Sequence, residues 1–218
     1  MARVKGPLLS MRASGSIAKT QTYASWRGIP YVRELVVPAN PQTVAQMLTR
    51  NVFSWLNDLF RHFGPYGLAP WAASAQGRAF TDRNSCIKSN IPILRSAVTL
   101  ADLVGSPGVR GGPALATFTP NPGVASGSID FDFTLGTLPT GWSLARVAGF
   151  GVVEADPHDL DPIGYAEGTY VGANPQTFTI TGLTAGSDYA CVGWAVYIRD
   201  DGTLAYSPSV SLIVTATP

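Results

Sequence analysis

Residues 176–215 read Gln176-Thr-Phe-Thr-Ile-Thr-Gly-Leu183-Thr-Ala-Gly186-Ser-Asp-Tyr189-Ala-Cys191-Val-Gly-Trp194-Ala-Val-Tyr197-Ile-Arg199-Asp-Asp-Gly202-Thr-Leu-Ala-Tyr206-Ser-Pro208-Ser-Val-Ser-Leu-Ile-Val-Thr215. β-branched and aromatic residues fill three runs, 176–181, 189–199 and 203–217, and turn formers separate them. Asp200-Asp201-Gly202 between the last two runs is a hairpin signal, because aspartate and glycine tolerate the positive φ of a tight turn. Upstream, Ile129, Phe131 and Phe133 alternate with Asp130, Asp132 and Thr134. That period of two predicts a strand with one wet face. A further strand is expected over 144–154, and 155–175 reads as a long loop. Several short strands within residues 114–218 predict an all-β sandwich.

The chain ahead of it has a different texture. Asn40-Pro41 reads as a helix N-cap followed by proline at the first helical position, where a missing N–H costs nothing. Val44, Met47, Leu48, Val52, Trp55, Leu56, Leu59, Phe60 and Phe63 then recur at spacings of three and four. Gly64-Pro65 ends the run, with Gly64 suited to a left-handed cap. One amphipathic helix over 41–63 follows, and its stripe must meet another surface. Short strands are expected over 17–26 and 31–37, with Trp26-Arg27-Gly-Ile-Pro30 turning between them. Too short to build a core, they suggest an arm that docks on a neighbouring subunit. A second helix is expected from Pro70 to Gln76, then irregular chain over 80–94 with a strand near Ile91–Leu94. Residues 105–113 hold four Gly and two Pro and read as a linker. The expected organisation is therefore an α+β docking segment over 1–104, a linker, and a sandwich over 114–218.

Charge divides the same way. Residues 1–95 carry 12 Lys/Arg and 3 Asp/Glu, whereas 96–218 carry 3 and 11. The asymmetry points to different neighbours for the two halves. Opposite halves can attract one another within a subunit or between copies. A nucleic-acid surface is the other reading, and the single spacing of the basic residues speaks against it.

Candidate chemistry is sparse. Cys86 and Cys191 sit in different halves and are expected to be buried and reduced. His62 falls near the end of the predicted helix, where a cation suits the dipole. His158 lies in Asp156-Pro-His-Asp159-Leu-Asp161, an acidic loop that could hold a hard cation but has no EF-hand spacing. No nucleophile elbow, P-loop or dinucleotide fingerprint occurs. No catalytic residue, cofactor, metal site or membrane span is expected. Trp26, Trp71, Trp142 and Trp194 could line a sugar or nucleotide site, although scattered tryptophans more often anchor cores and interfaces.

Two resemblances follow from quoted residues. The 176–215 stretch resembles the second half of a fibronectin type III domain: Leu183, Gly186 and Tyr189 match that family's tyrosine corner, in which a phenol hydroxyl returns to a nearby backbone group. This implies an immunoglobulin- or fibronectin-III-like sandwich serving as an adhesion or spacer module. The first 50 residues are similar to a poorly characterised family of prophage and tailed-phage proteins. That similarity rests on Ser14-Gly-Ser-Ile17, Ser25-Trp26-Arg27-Gly-Ile-Pro-Tyr31-Val-Arg33 and Val37-Pro-Ala-Asn40-Pro41-Gln-Thr-Val-Ala-Gln46.

The phage similarity implies a virion structural protein, assembled in the host bacterial cytoplasm, whose partners are capsid, portal, neck or tail proteins and sister copies. Head or neck decoration, or a collar protein, is the expectation. The alternative is a tail or fibre protein whose sandwich binds a host receptor or carbohydrate, and a third is an envelope-modifying enzyme using His158 and Asp159. Candidate interface residues are Trp26, Arg27, Tyr31, Arg33, Trp55 and Phe60. Asn40, Pro41, Gly64, Leu183, Gly186 and Tyr189 are the expected structural residues.

Overall fold

The structure, a computed structural model, describes residues 3–4, 13–17, 19–26, 29–37, 39–40, 42–96, 100, 102–153, 164–169 and 175–218. The chain divides into two compact units, Met1–Thr43 and Val44–Pro218.

The first unit is an antiparallel meander of β1 (Arg3–Val4), β2 (Ala13–Ile17), β3 (Gln21–Trp26) and β4 (Ile29–Glu34), in that order across the sheet. Trp26 pairs with Ile29 and Ser25 with Pro30, so the hairpin is tighter than the expected Trp26–Pro30 turn. Pro30 is tolerated because β4 is an edge strand, whose outer side needs no N–H.

The second unit has three layers. Its middle layer is a five-stranded antiparallel sheet. In it β11 (Leu204–Tyr206), β10 (Asp188–Arg199), β7 (Trp142–Val153) and β8 (Gly164–Thr169) lie side by side, and β12 (Val210–Thr215) continues the β11 side of β10. One outer layer is a three-stranded antiparallel sheet, β5 (Leu115–Pro122), β6 (Ile129–Leu135) and β9 (Gln176–Ile180). Between the two sheets sit Phe118, Phe131, Phe133 and Phe178, with ring centroids 5.1 to 5.3 Å apart in four of their pairings. Gly149 and Gly193 of the middle sheet give these rings room: a Cβ at either would lie 2.6 Å from a phenylalanine ring. The expected alternation of Ile129–Thr134 is present, with Ile129, Phe131 and Phe133 fully buried.

Helices form the other outer layer: α1 (Val44–His62), α2 (Pro65–Ala75) and α3 (Asp82–Ser96). The fold is thus mixed α+β, three helices with antiparallel sheets. Val52, Trp55, Leu56, Leu59, Phe60 and Phe63 of the α1 stripe are buried in one core with Phe150, Val152, Val192 and Trp194 of the sheet. The Phe63 ring lies 5.2 Å from Phe150 and 6.2 Å from Trp194. Each such side chain contributes roughly 1.5–3 kcal/mol when taken fully from water.

Several expectations change here. Helix α1 begins at Val44, so exposed Asn40 is not its immediate cap, and Pro41 lies outside the described residues. Gly64 is extended (φ −74°, ψ −177°) rather than left-handed, and it precedes α2. Close packing is what it satisfies, since a Cβ there would meet the Glu167 carboxylate at 2.6 Å and the Tyr165 ring at 2.8 Å. Helix α2 starts at Pro65, five residues earlier than expected, with Pro70 inside it.

Residues 82–96, expected to be irregular with a strand, form helix α3. The Thr81 hydroxyl accepts from the Asn84 N–H at 3.3 Å, and Cys86, Ile87, Asn90 and Leu94 form its buried side. Polar Asn90 interrupts the apolar period, which hid the helix from a pattern reading.

The expected linker 105–113 is not a free spacer, and the basic and acidic stretches do not separate into two bodies at that point. A Cβ on Gly105 would lie 2.5 Å from the Trp194 ring. The Gly105 N–H donates to Ser209 Oγ at 3.0 Å, the Ser106 hydroxyl to Ser207 O at 2.6 Å, and the Tyr206 N–H to Val109 O at 3.1 Å. These glycines allow a strap to lie close against the β11–β12 side of the sheet. Helices α1–α3 belong with the sandwich because their apolar faces have no other partner in that unit.

Candidate docking surfaces

Burial decides most of the candidate chemistry. Cys86 and Cys191 are free thiols in the core. Desolvation pushes the Cys86 thiol up to about 12 and raises Cys191 as well, so neither ionises near neutrality. Asn90, also fully buried, joins two parts of the helix layer. Its Nδ2 donates to Val104 O (3.0 Å) and Cys86 O (3.1 Å), and its Oδ1 accepts from the Val104 N–H (2.8 Å). His62 is on the last turn of α1 with Nδ1 2.8 Å from the Asp58 carbonyl oxygen, an end-of-helix contact. The acidic loop with His158, Asp159 and Asp161 lies outside the described residues. Among the described residues no group of three or more His, Cys, Asp or Glu could hold a metal. No helix of the described residues is long and apolar enough to cross a membrane.

The tryptophans whose side chains are described do not line one site. Trp71 and Trp194 are fully buried, and Trp142 lies under the Arg199 guanidinium, 4.4 Å from ring centroid to Cζ. Nothing is described of the Trp26 side chain, and Arg27 lies outside the described residues. Trp55 and Phe60, read from sequence as interface residues, are buried in the chain's own helix–sheet core. Tyr31 and Arg33 are exposed on β4, two residues apart and therefore on one face.

Among the described residues, three exposed apolar surfaces remain. On the first unit Ile29, Tyr31, Val32, Val36 and Val37 are exposed, Val37 by 82%. On the second unit the first two turns of α1 carry Val44, Met47 and Leu48, exposed continuations of a stripe that is buried from Val52 onward. Strand β12 pairs only with β10 among the described strands and shows Val210, Leu212 and Ile213 to solvent. Sequence periodicity placed the α1 residues on the same stripe as the core, and only the extent of the sheet shows where cover stops. The β12 patch was hidden inside a run that read as an ordinary strand.

At the other end of β12 the chain is closed by a turn. Tyr189, fully buried, accepts a hydrogen bond at its hydroxyl from the Thr184 N–H (2.9 Å), Gly186 takes φ +73°, and Leu183 is buried beside them. All three expected structural residues of this turn are brought together.

No family model matches the chain, and no curated protein matches it. Among solved structures, a computationally redesigned β-sandwich protein is similar over 49% of this chain and 91% of its own, at 17% identity and a TM-score of 0.33.

Proposed function

We propose that the chain is a bacteriophage virion structural protein that docks through its N-terminal unit and projects a helix-backed sandwich. The observation that carries this is a contrast in burial. Among the residues of 15–43 whose side chains are described none is buried, while the described residues of 44–218 hold a full core. A small sheet is stable by itself only when an apolar face of it is packed against something. Such a segment makes physical sense when its cover comes from an assembly, as in a particle component.

The sandwich reads further as fibronectin-III-like. Sheets ordered β5-β6-β9 and β8-β7-β10-β12 correspond to that family's three-strand and four-strand arrangement, with β11 as the first part of its last strand. The Tyr189–Thr184 contact supports the tyrosine-corner reading. A spacer or decoration role at the head or neck suits a module whose described tryptophans with resolved surroundings are buried or stacked on arginine.

The test is direct. Tailed-phage particles produced by cells carrying this gene, purified on a density gradient, are digested and analysed by quantitative mass spectrometry. Gold-labelled antibody then locates the protein by electron microscopy. Stoichiometric peptides and label at the head or neck are expected; particles free of the protein would overturn the proposal.

A further inference from the structure

We infer that the N-terminal sheet of one copy docks on the β12 edge of a second copy, joining subunits head to tail. The inference rests on reading residues 1–43 as a docking segment and names their partner.

Two surfaces on the same chain call for cover, and they complement each other. The first unit exposes Ile29, Tyr31 and Val32 of β4 and, just past that strand, Val36 and Val37. Its sequence holds six basic residues (Arg3, Lys5, Arg12, Lys19, Arg27, Arg33) against the single acid Glu34. The sandwich sequence 114–218 is the reverse, with two basic residues and ten acidic ones. Opposite fields of this kind steer association and set register.

The β12 edge has no second strand paired to it among the described strands. Sheet edges are normally blunted by charge, proline or a covering segment. Here the 105–109 strap covers the β11 side as far as Ser209, whose N–H donates to Ser106 O at 3.1 Å. From Val210 the strand has no hydrogen-bonded neighbour besides β10 for six residues, Val210-Ser-Leu-Ile-Val-Thr215, and carries no charge or proline, although β5 of the other sheet runs near it. Val210, Leu212 and Ile213 are 37–46% exposed on it. Asp188, paired across from Thr215 and accepting its hydroxyl at 2.6 Å, puts a carboxylate at the end of this strip. An apolar edge with Asp188 beside it fits the apolar residues of β4, where Arg33 is exposed among them. Because the two surfaces differ, the contact is heterologous and repeats from copy to copy, giving a ring if the rotation closes and a filament if it does not.

The experiment uses the full chain. Val36→Cys and Leu212→Cys are made as separate variants, mixed, and oxidised; the native Cys86 and Cys191 are buried and serve as the background. A disulfide-linked species of twice the chain mass is expected from the mixture, well above either variant alone. By sedimentation the unmodified chain should self-associate, more weakly at high salt. Arg33→Asp and Asp188→Arg should each weaken association at least ~10-fold, about 1.4 kcal/mol, and combining them should recover part of the loss.

A chain that stays monomeric at ~100 µM, far above micromolar affinity, overturns the inference. So does a mixture that yields no more linked dimer than either variant alone, or association indifferent to both charge reversals. Circular dichroism of each variant excludes misfolding as the cause. A monomer found on particles would sink this inference alone; an oligomer absent from particles would sink only the virion reading.

Discussion

The hydroxyl of Tyr189 accepts a hydrogen bond from the backbone N–H of Thr184, 2.9 Å away and five residues earlier. The ring is fully buried between the sheets, so the bond ties the turn ahead of β10 to the core. Tyr189→Phe keeps the ring and removes the acceptor. Stability should fall by about 1–2 kcal/mol, read as a lower urea midpoint with an unchanged slope. An unchanged midpoint would mean that water serves the Thr184 N–H equally well.

Gly105→Ala separates a linker from a packed strap. In a free linker alanine is neutral or slightly stabilising. Here its methyl would lie 2.5 Å from the Trp194 ring, held in the core by Phe63 and Phe150. A loss of about 1–3 kcal/mol is expected, with a changed tryptophan fluorescence spectrum.

Asn90→Leu tests the buried amide. The leucine is apolar and of similar size, but it leaves the Val104 N–H and C=O without the partner they have in Asn90. Hydrogen exchange should show the Val104 amide losing protection, and stability should drop by about 1–3 kcal/mol.

Alkaline pH should unfold the protein through its thiols. Burial raises Cys86 from the ordinary 9.0 to about 12, so the folded state keeps a proton that the unfolded state releases. The stability this provides is complete below pH 9 and is lost as pH rises towards 12. Cys191 and Tyr197 shift in the same direction for the same reason. A denaturation midpoint that falls across pH 9–11, and less steeply for Cys86→Ala, is the expected result. Neither thiol should react with a disulfide reagent at pH 8 until the protein unfolds.

Local rules served where one residue's neighbours in sequence are also its neighbours in space. The alternation in Ile129–Thr134 and the turn around Leu183, Gly186 and Tyr189 are of this kind. Helix α3 escaped because Asn90 stands where an apolar residue would complete the period, and its hydrogen bonds to Val104 are visible only after folding. The second cover on the middle sheet was in fact signalled. Tyr189 to Tyr197 runs nine residues without a charged or amide side chain, and all nine are buried. A strand with no wet face must be covered on both sides.

By itself, then, the sequence determined the elements whose period or turn chemistry is local: the α1 stripe, the alternating β6, the Asp200–Gly202 hairpin and the Tyr189 corner. Tertiary structure alone decided which surfaces meet. It put the basic helices against the acidic sandwich, turned 105–113 into a strap, buried Trp55 and Phe60, and left β12 paired with β10 alone among the described strands. The physical reason is that periodicity shows that an apolar face needs a partner, while the partner's identity depends on contacts between residues far apart in the chain.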